Sequence, residues 1–366
     1  MKTTHPGYRL PTIAHTTPRL YAGLRNTTDR IAAYRCGVWF ASMLGAPWAQ
    51  RAAAEMEFNA IQSEGTNTAG GYLVPDEVID QIVTIRERYG VFRKHARIIP
   101  TKSDHTSVPR RVSGLTAYAA AEGAAGTEST AGLSNIGITP KKWIVLTAAT
   151  KELDEDAISN FGDWLIGEIA YAFAKAEDEA GFVGDGGSTY NGILGLKGAL
   201  QAGCIQTQGT GNTWGAITIT DINNMMAKVI DLDSVRDPAF YCSKAFFHGV
   251  LERVAHAAGV ECGLIVVNGE VMYHYSGYPV RFTHSMPRST AVSTICCFFG
   301  DLAVTSLLAD RRAVTITKST DAVINGRSLF ETDELGIRGT ERVDIVNHEV
   351  GTASACGSMA ALQTGS

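Results

Sequence analysis

A mixed α+β fold is what the sequence predicts, on three observations. Glycine occurs 38 times and proline 11 times in 366 residues, and so many glycines favour the tight turns and close backbone contacts of a loop-rich fold over a helical bundle. From residue 217 onward, segments with helical spacing alternate with short apolar segments typical of strands, as in a sheet flanked by helices. The composition is ordinary for a globular protein, with 45% hydrophobic and 19% charged residues, and the length suits two to three structural units.

Charge and cysteine content limit the function classes. Lys plus Arg number 32 and Asp plus Glu number 37, a net charge of −5, so no overall basic field attracts nucleic acid and DNA binding is not expected as the primary role. The seven cysteines lack the spacing of a disulfide framework and no N-terminal signal precedes them, which indicates folding in a reducing cytoplasm. The apolar run 38–44 is far shorter than the roughly 20 residues that span a membrane, so no membrane role is expected.

The N-terminal part of the chain predicts little regular structure before residue 75. Residues 1–27 are expected to be a loose tail, 29–61 one or two short amphipathic helices, and 62–71 (QSEGTNTAGG) a polar linker. A helix then opens at Pro75 and stops at Gly90, since acidic residues occupy its first turn and apolar residues follow helical spacing.

Three strands are predicted next, at 97–100, 106–112 and 141–150. The segment between the last two, 113–139, is rich in Ala, Gly, Thr and Ser and contains too few large apolar residues to order itself. If its two arms of about thirteen residues paired as a hairpin, the ribbon would reach roughly 40 Å and would need another surface to lie on. The alternative is a disordered surface loop.

A long helix is predicted over about 156–181, because acidic residues precede an apolar stripe with helical spacing and a Gly-rich turn at 184–187 ends it. Further helices are predicted at 221–232 and 243–256. Strands are predicted at 239–242, 264–267, 280–283, 293–299, 313–318 and 340–347. The segment 351–366 is small and polar and is expected to be loose.

Enzyme and metal motifs are incomplete. His348 and Glu349 begin like a zinc-binding helix, but the second histidine would have to stand where Thr352 is. Asp231, Asp233 and Asp237 resemble a calcium loop, yet Arg236 and Cys242 occupy its required glycine and glutamate positions.

The remaining signals also favour structural roles. The G-D-G-G turn at 184–187 has no Lys-Ser/Thr pair to hold a phosphate, and Cys296 and Cys297 lie in an apolar strand where cysteine acts as a small hydrophobe. The histidines, including His248 and His256, are dispersed. We therefore expect no catalytic residue, no cofactor and no metal, and a structural or binding role.

Several motifs then occur in the order found in one family. GGYLVP (70–75), IRERYGVFRKHARIIP (85–100), SVPR (107–110), YAAAEGAAGTES (118–129), TPKKWIVLTAATKELDED (139–156), the long helix and GFVGDG (181–186) follow one another. Over about 65–200, and more weakly over 313–347, the chain resembles the major capsid proteins of tailed bacteriophages, of the lambdoid capsid type.

The resemblance implies an α+β capsid fold with a peripheral domain on a long spine helix, an axial domain, an N-terminal arm and an extended β-hairpin loop. The expected segments are 1–62 (scaffold-like segment or tail), 63–100 (arm), 101–150 (extended-loop region), 151–205 (peripheral domain), 206–311 (axial domain) and 312–366 (return to the peripheral domain and C-terminal tail).

The implied function is a structural protein, not an enzyme, that self-assembles through hexamers and pentamers into an icosahedral shell around phage double-stranded DNA, which it encloses without reading its sequence. The expected location is the virion capsid, assembled in the host bacterial cytoplasm. Expected partners are other copies of the chain, with a scaffold, a maturation protease, a portal and a decoration protein as further candidates. An encapsulin-type nanocompartment shell is the alternative, and an enzyme with a site assembled from distant residues is the third hypothesis.

The family also suggests roles for particular segments. An N-terminal scaffold segment is often removed, so we expect cleavage between residues 54 and 67, which mass spectrometry of mature particles tests. Some members crosslink a loop lysine to an asparagine with the help of a glutamate. Here the loop 113–139 has no lysine, and the other two positions hold Asp333 and Thr340, so no catalytic residue is assigned.

Contacts between subunits are expected from the loop and the arm. We expect Glu122 and Glu128 of the loop to pair with arm cations of a neighbouring copy, with Tyr118 also at the contact. The candidate cations are Arg86, Arg88, Arg93 and Lys94.

Overall fold

The computed structural model describes residues 90–113, 115, 117–119, 127–150, 161–229, 237–267 and 270–366. The elements predicted before Gly90 lie outside these ranges. The described chain divides into two compact units, the first with residues from 143–174 and 312–341, the second with residues from 90–142, 175–311 and 342–366.

The strands are β1 (Arg97–Pro100), β2 (Thr106–Ser113), β3 (Gly132–Ile138), β4 (Lys141–Thr150), β5 (Ile205–Thr207), β6 (Ala239–Cys242), β7 (Cys262–Val267), β8 (Glu270–Tyr275), β9 (Tyr278–Phe282), β10 (Ile295–Gly300), β11 (Ser306–Ser319), β12 (Val323–Ile324), β13 (Arg327–Ser328), β14 (Glu334–Asn347) and β15 (Met359–Gln363). The helices are α1 (Val91–His95), α2 (Phe161–Val183), α3 (Leu196–Ala199), α4 (Ile219–Lys228), α5 (Lys244–Phe246), α6 (Glu252–Ala258) and α7 (Leu302–Thr305). A π-helical turn, Phe247–Leu251, joins α5 to α6.

The long helix predicted over 156–181 is described over Phe161–Val183, about 35 Å at 1.5 Å per residue. In the first unit its buried face includes Ile169 and Phe173, which lie against Gly339 of β14. Strand β14 belongs to a four-stranded sheet of order β1-β11-β14-β4. The strands predicted at 97–100 and 141–150 are confirmed, and those predicted at 313–318 and 340–347 are parts of the longer β11 and β14.

The second unit contains a seven-stranded sheet of order β5-β15-β10-β6-β9-β8-β7. Its core joins buried side chains of the sheet to those of the helices, such as Ile222 of α4, Phe246 of α5 and Phe240 of β6. Both helices begin at a side-chain cap: Thr218 and Asp221 form a reciprocal capping box, and Ser243 accepts from the N–H of Phe246 at 3.2 Å. The predicted helices and strands of this region are confirmed, with ends shifted by a few residues.

The C-terminal segment differs from the prediction. We expected 351–366 to be loose, but β15 pairs antiparallel with β10 (Phe298 opposite Ala361) and parallel with β5 (Ala361 opposite Ile205). Its residues 359–362 are buried. The strand is only five residues long and is covered on both faces, so it carries neither the length nor the alternation that identifies a half-buried strand in a sequence.

A hairpin is present, but it pairs other residues than predicted: its first arm, β2, is the separate strand predicted at 106–112, and only its second arm, β3, lies within 113–139. β2 and β3 pair antiparallel from Thr106 opposite Ile138 to Ser113 opposite Gly132. Arms of this length span about 25 Å rather than 40 Å. The described residues between Ser113 and Gly132 belong to no strand. None of the described helices has the length and apolar character needed to cross a membrane.

Candidate assembly surfaces

The β2–β3 hairpin is anchored at one end and exposed at the other. At its base, Ile136 and Ile138 are buried against Leu307 and Ala309 of β11. Toward its distal end, Leu133 is 74% exposed. Apolar side chains usually leave water where a partner is available, so the distal end of the hairpin is a candidate contact surface.

Polar contacts hold the base of the hairpin in place. The backbone N–H of Thr139 donates to Asp344 Oδ2 at 2.7 Å, and Arg110 donates to the carbonyl of His348. Arg342 and Arg311 both pair with Asp104, the former at 3.0 Å. Burial, together with the charges of Arg110 and Arg97, lowers the pKa of His348 to about 4.

The residues predicted for the loop contact lie at the surface where they are described. Tyr118 is 54% exposed, and Glu128 is exposed. Leu115, in the same loop, is also exposed. Glu122, like Arg86 and Arg88, lies outside the described residues.

Arg93 and Lys94 have opposite environments although they are neighbours in α1. Lys94 is exposed, whereas Arg93 is only 3% exposed and forms ion pairs inside its own chain. Its Nε and Nη2 donate to Glu177, and its Nη1 donates to Asp310 at 3.0 Å. The expected pairing of Arg93 with a neighbouring copy is therefore replaced by an internal one, because all three nitrogens already have acceptors.

The charge balance around Arg93 explains why it stays ionised. Burial alone disfavours the charged form, but the carboxylates of Glu177 and Asp310 outweigh it and raise the pKa of the guanidinium. No sequence pattern distinguishes Arg93 from Lys94, since the two are adjacent in a short basic run after Phe92.

Asp178, the next residue after Glu177, holds the start of α1. Its two carboxylate oxygens accept the backbone N–H groups of Val91 and Phe92 at 3.1 and 2.8 Å. Burial raises the pKa of Asp178 to about 7, although these hydrogen bonds act in the opposite direction. The Nδ1 atom of His284 lies 3.8 Å from the same carboxylate.

A second exposed apolar surface lies at the edge of the seven-stranded sheet. β7 is the last strand of the sheet and pairs only with β8 in the described chain. On one face of this hairpin, Leu264, Val266 and Val271 are 61–67% exposed. An open, apolar strand edge is a template for contact with another chain. No sequence signal identified this edge, because strand order is not readable from local patterns.

No metal centre accompanies these surfaces in the part of the chain that the structure describes, where no cluster of His, Cys, Asp or Glu side chains could hold an ion. His348 Nδ1 lies 3.9 Å from Glu349, its sequence neighbour. Of the three aspartates that resemble a calcium loop, Asp231 and Asp233 lie outside the described residues, and Asp237 pairs with Arg281.

We expect Arg93→Met to lower the free energy of unfolding by about 3–5 kcal/mol, because it removes the buried cation that pairs with the buried Glu177 and the half-buried Asp310. Lys94→Met, the matched change at the exposed neighbour, should cost no more than about 0.5 kcal/mol. Chemical denaturation of both variants measures the difference. Equal effects would show that the buried ion pair does not stabilise the fold.

The raised pKa of Asp178 predicts a pH dependence of stability. The folded protein holds this proton more tightly than the unfolded chain, so stability should fall as pH rises from about 4 to 7 and level off above 7. Burial lowers the pKa of His284, so the contribution of this residue to stability rises with pH near the pKa that it has in the unfolded chain. We therefore expect the unfolding free energy of the wild type to fall relative to Asp178→Asn by up to about 4 kcal/mol over this range. Parallel pH profiles from denaturation would contradict the prediction.

The chain is similar to phage capsid proteins in sequence and in fold. The phage capsid family model matches residues 70–348. The capsid of a native GTA particle has a similar fold, with a TM-score of 0.54 and 18% identity over 86% of this chain and 99% of that one. A chain of Microbacterium phage Oxtober96 gives a TM-score of 0.56 and 18% identity over 83% and 97%, and one of Mycobacterium phage Adephagia gives 0.55 and 17% over 84% and 96%. No curated protein matches the chain.

The family match covers most of the chain, and the mixed α+β fold is shared with the solved capsid chains over nearly their whole length. The chain therefore belongs to the phage capsid family, and it is a structural protein of the virion capsid.

Proposed function

We propose that the chain builds an icosahedral shell from hexamers and pentamers that encloses double-stranded DNA. The observation that carries this proposal is the β2–β3 hairpin, which is packed at Ile136 and Ile138 and exposes Leu133 and, among the described loop residues, Leu115 and Tyr118. Exposed apolar side chains on this hairpin add no stability to a single chain, whereas identical copies can bury them where they meet. The net charge of −5 suits a container that does not bind its DNA tightly.

The proposed shell also assigns a role to each segment of the chain. Helix α2 acts as the spine of the peripheral domain, and residues 206–311 form the axial domain at the centre of each capsomer. The open edge at β7, with its exposed Leu264 and Val266, lies in this axial domain and supplies contacts between copies. Residues 1–62 act as a scaffold-like segment, and scaffold, protease, portal and decoration proteins remain proposed partners.

Charged residues at the surface set the register of the contacts. Glu128 of the loop pairs with Lys94 of a neighbouring copy, and both are exposed within their own chain. An exposed pair contributes only about 0–1 kcal/mol, so it selects the arrangement rather than driving assembly. Glu128→Lys should lower the yield of shells, and the double variant that also carries Lys94→Glu should restore it. If the single variant assembles like the wild type, the pairing is wrong.

Electron microscopy and sedimentation of the full chain expressed alone test the function. We expect closed shells or capsomers, and Leu133→Asp should reduce them at least tenfold because it places a charge in the contact. Ser134→Asp is the matched control, since it adds the same charge at a neighbouring exposed residue without removing an apolar side chain. DNA inside the particles would support the phage shell, and a co-purifying protein cargo would support the nanocompartment.

A folded Leu133→Asp variant that assembles normally would show that the hairpin is not an assembly contact. A wild-type chain that stays monomeric, even with a phage scaffold protein added, would contradict the proposed function.

A further inference from the structure

The β12–β13 hairpin turns at Asn325 and Gly326, the two residues between its strands. Both have a positive φ, +52° and +78°, which is the backbone conformation that an Asn-Gly pair adopts in a two-residue hairpin turn. Both residues are exposed. Asn-Gly is also a pair in which asparagine is chemically labile, because glycine has no Cβ to shield its backbone nitrogen.

The strands on either side of this turn are anchored. Ile324 and Leu329 are buried, and both lie close to Gly336 of β14, where a Cβ would stand 2.6 Å from Leu329 Cδ1. The N–H of Leu329 donates to the carbonyl of Ala322 at 3.0 Å. Folding therefore packs the hairpin against β14 and leaves only its connecting turn in water.

Two groups at the turn can react with each other, the side-chain amide of Asn325 and the backbone N–H of Gly326. Within the part of the chain that the structure describes, neither group has a hydrogen-bond partner. The turn is held only by the pairing of Ile324 with Arg327 on either side of it. No hydrogen bond therefore has to break before the Gly326 nitrogen approaches the Asn325 side chain.

A second Asn-Gly pair, Asn191 and Gly192, provides an internal comparison. Its φ angles are also positive, +56° and +80°. Here, however, Asn191 Nδ2 donates to the carbonyl of Lys142 at 2.9 Å, and the N–H of Gly192 donates to the carbonyl of Gly187 at 2.9 Å. The same two groups are thus held by hydrogen bonds that must open before they react. A third pair, at 268–269, lies outside the described residues.

We propose that Asn325 is a site of spontaneous deamidation, with water as the only co-reactant. The Gly326 nitrogen loses its proton to solvent and attacks Cγ of Asn325, the bond from Cγ to Nδ2 breaks, and ammonia leaves. Water then opens the five-membered succinimide at one of its two carbonyls and restores an N–H. The product is aspartate, or isoaspartate if the chain now runs through Cγ. In sum, an amide and water become a carboxylate and ammonium, and nothing is oxidised or reduced.

The reaction changes both the charge and the backbone of the turn. It adds a negative charge next to Arg327, whose Nη2 pairs with Glu334 Oε2 at 2.6 Å. Isoaspartate also inserts an extra backbone atom into a two-residue turn that sets the register of Ile324 opposite Arg327. The proposal goes beyond the shell function and does not depend on it, because both reacting groups belong to one subunit.

The test incubates the purified full-length chain in mildly alkaline buffer, takes samples over time, digests them with trypsin under slightly acidic conditions and measures the peptide masses. Peptide 319–327 contains Asn325 as its only asparagine, and peptide 176–197 contains Asn191 as its only one. We expect 319–327 to gain the mass difference between NH₂ and OH at least tenfold faster than 176–197. The rate at Asn325 should rise with pH, because the attacking nitrogen must lose its proton.

Two controls complete the test. In guanidinium the hydrogen bonds at Asn191 are lost, so the two peptides should convert at similar rates. Asn325→Gln should abolish the mass gain in 319–327, because glutamine would have to close a larger ring, and should leave 176–197 unchanged. The proposal is overturned if 319–327 of the folded protein converts no faster than 176–197, or if the same difference persists in guanidinium.

Discussion

The insertion of the last strand into the seven-stranded sheet is the constraint on which the second unit depends. Among the described strands, β15 is the only neighbour of β5 and one of the two neighbours of β10. Gly300, opposite Met359, has a φ of +146° and leaves no room for a side chain against the Ser358 carbonyl. The seven-stranded sheet is therefore complete only when β15 is in place. Contacts beside β15 join distant parts of the chain, since the N–H of Gly357 donates to the sulfur of Cys204, 153 residues away in sequence. Contacts of such separation form slowly in folding.

The subunit buries several charged side chains and exposes several apolar ones. Inside, Arg93 pairs with Glu177 and Asp310, and Asp178 accepts the first N–H groups of α1. At the surface, two β-hairpins leave apolar side chains in water. A subunit built this way is stable by itself where its charges are buried and gains further stability where copies meet.

The sequence predicted the elements with strong local signals. Periodicity and an acidic start located α2, a nearly continuous apolar run located β4, and the alternation of helical and apolar segments located α4 and β6. The C-terminal strand was missed because Met359–Gln363 is short and buried on both faces, so its identity depends on β5 and β10, which are distant in sequence. Likewise, the charges of Arg93 and Lys94 look equivalent until the fold buries one and exposes the other. The order of the motifs predicted the family, but it contained no information on which side chains face a neighbouring copy.

The described subunit completes its own seven-stranded sheet, and we propose that other copies cover its two exposed hairpins. Hydrogen–deuterium exchange of unassembled subunits and of closed shells from the same preparation tests it most directly. Amides of β2, β3, β7 and β8 should exchange at least tenfold more slowly after assembly, while those of β10 and β15 should exchange slowly in both states. Unchanged exchange in the hairpins, or protection of β15 that appears only in shells, would contradict it.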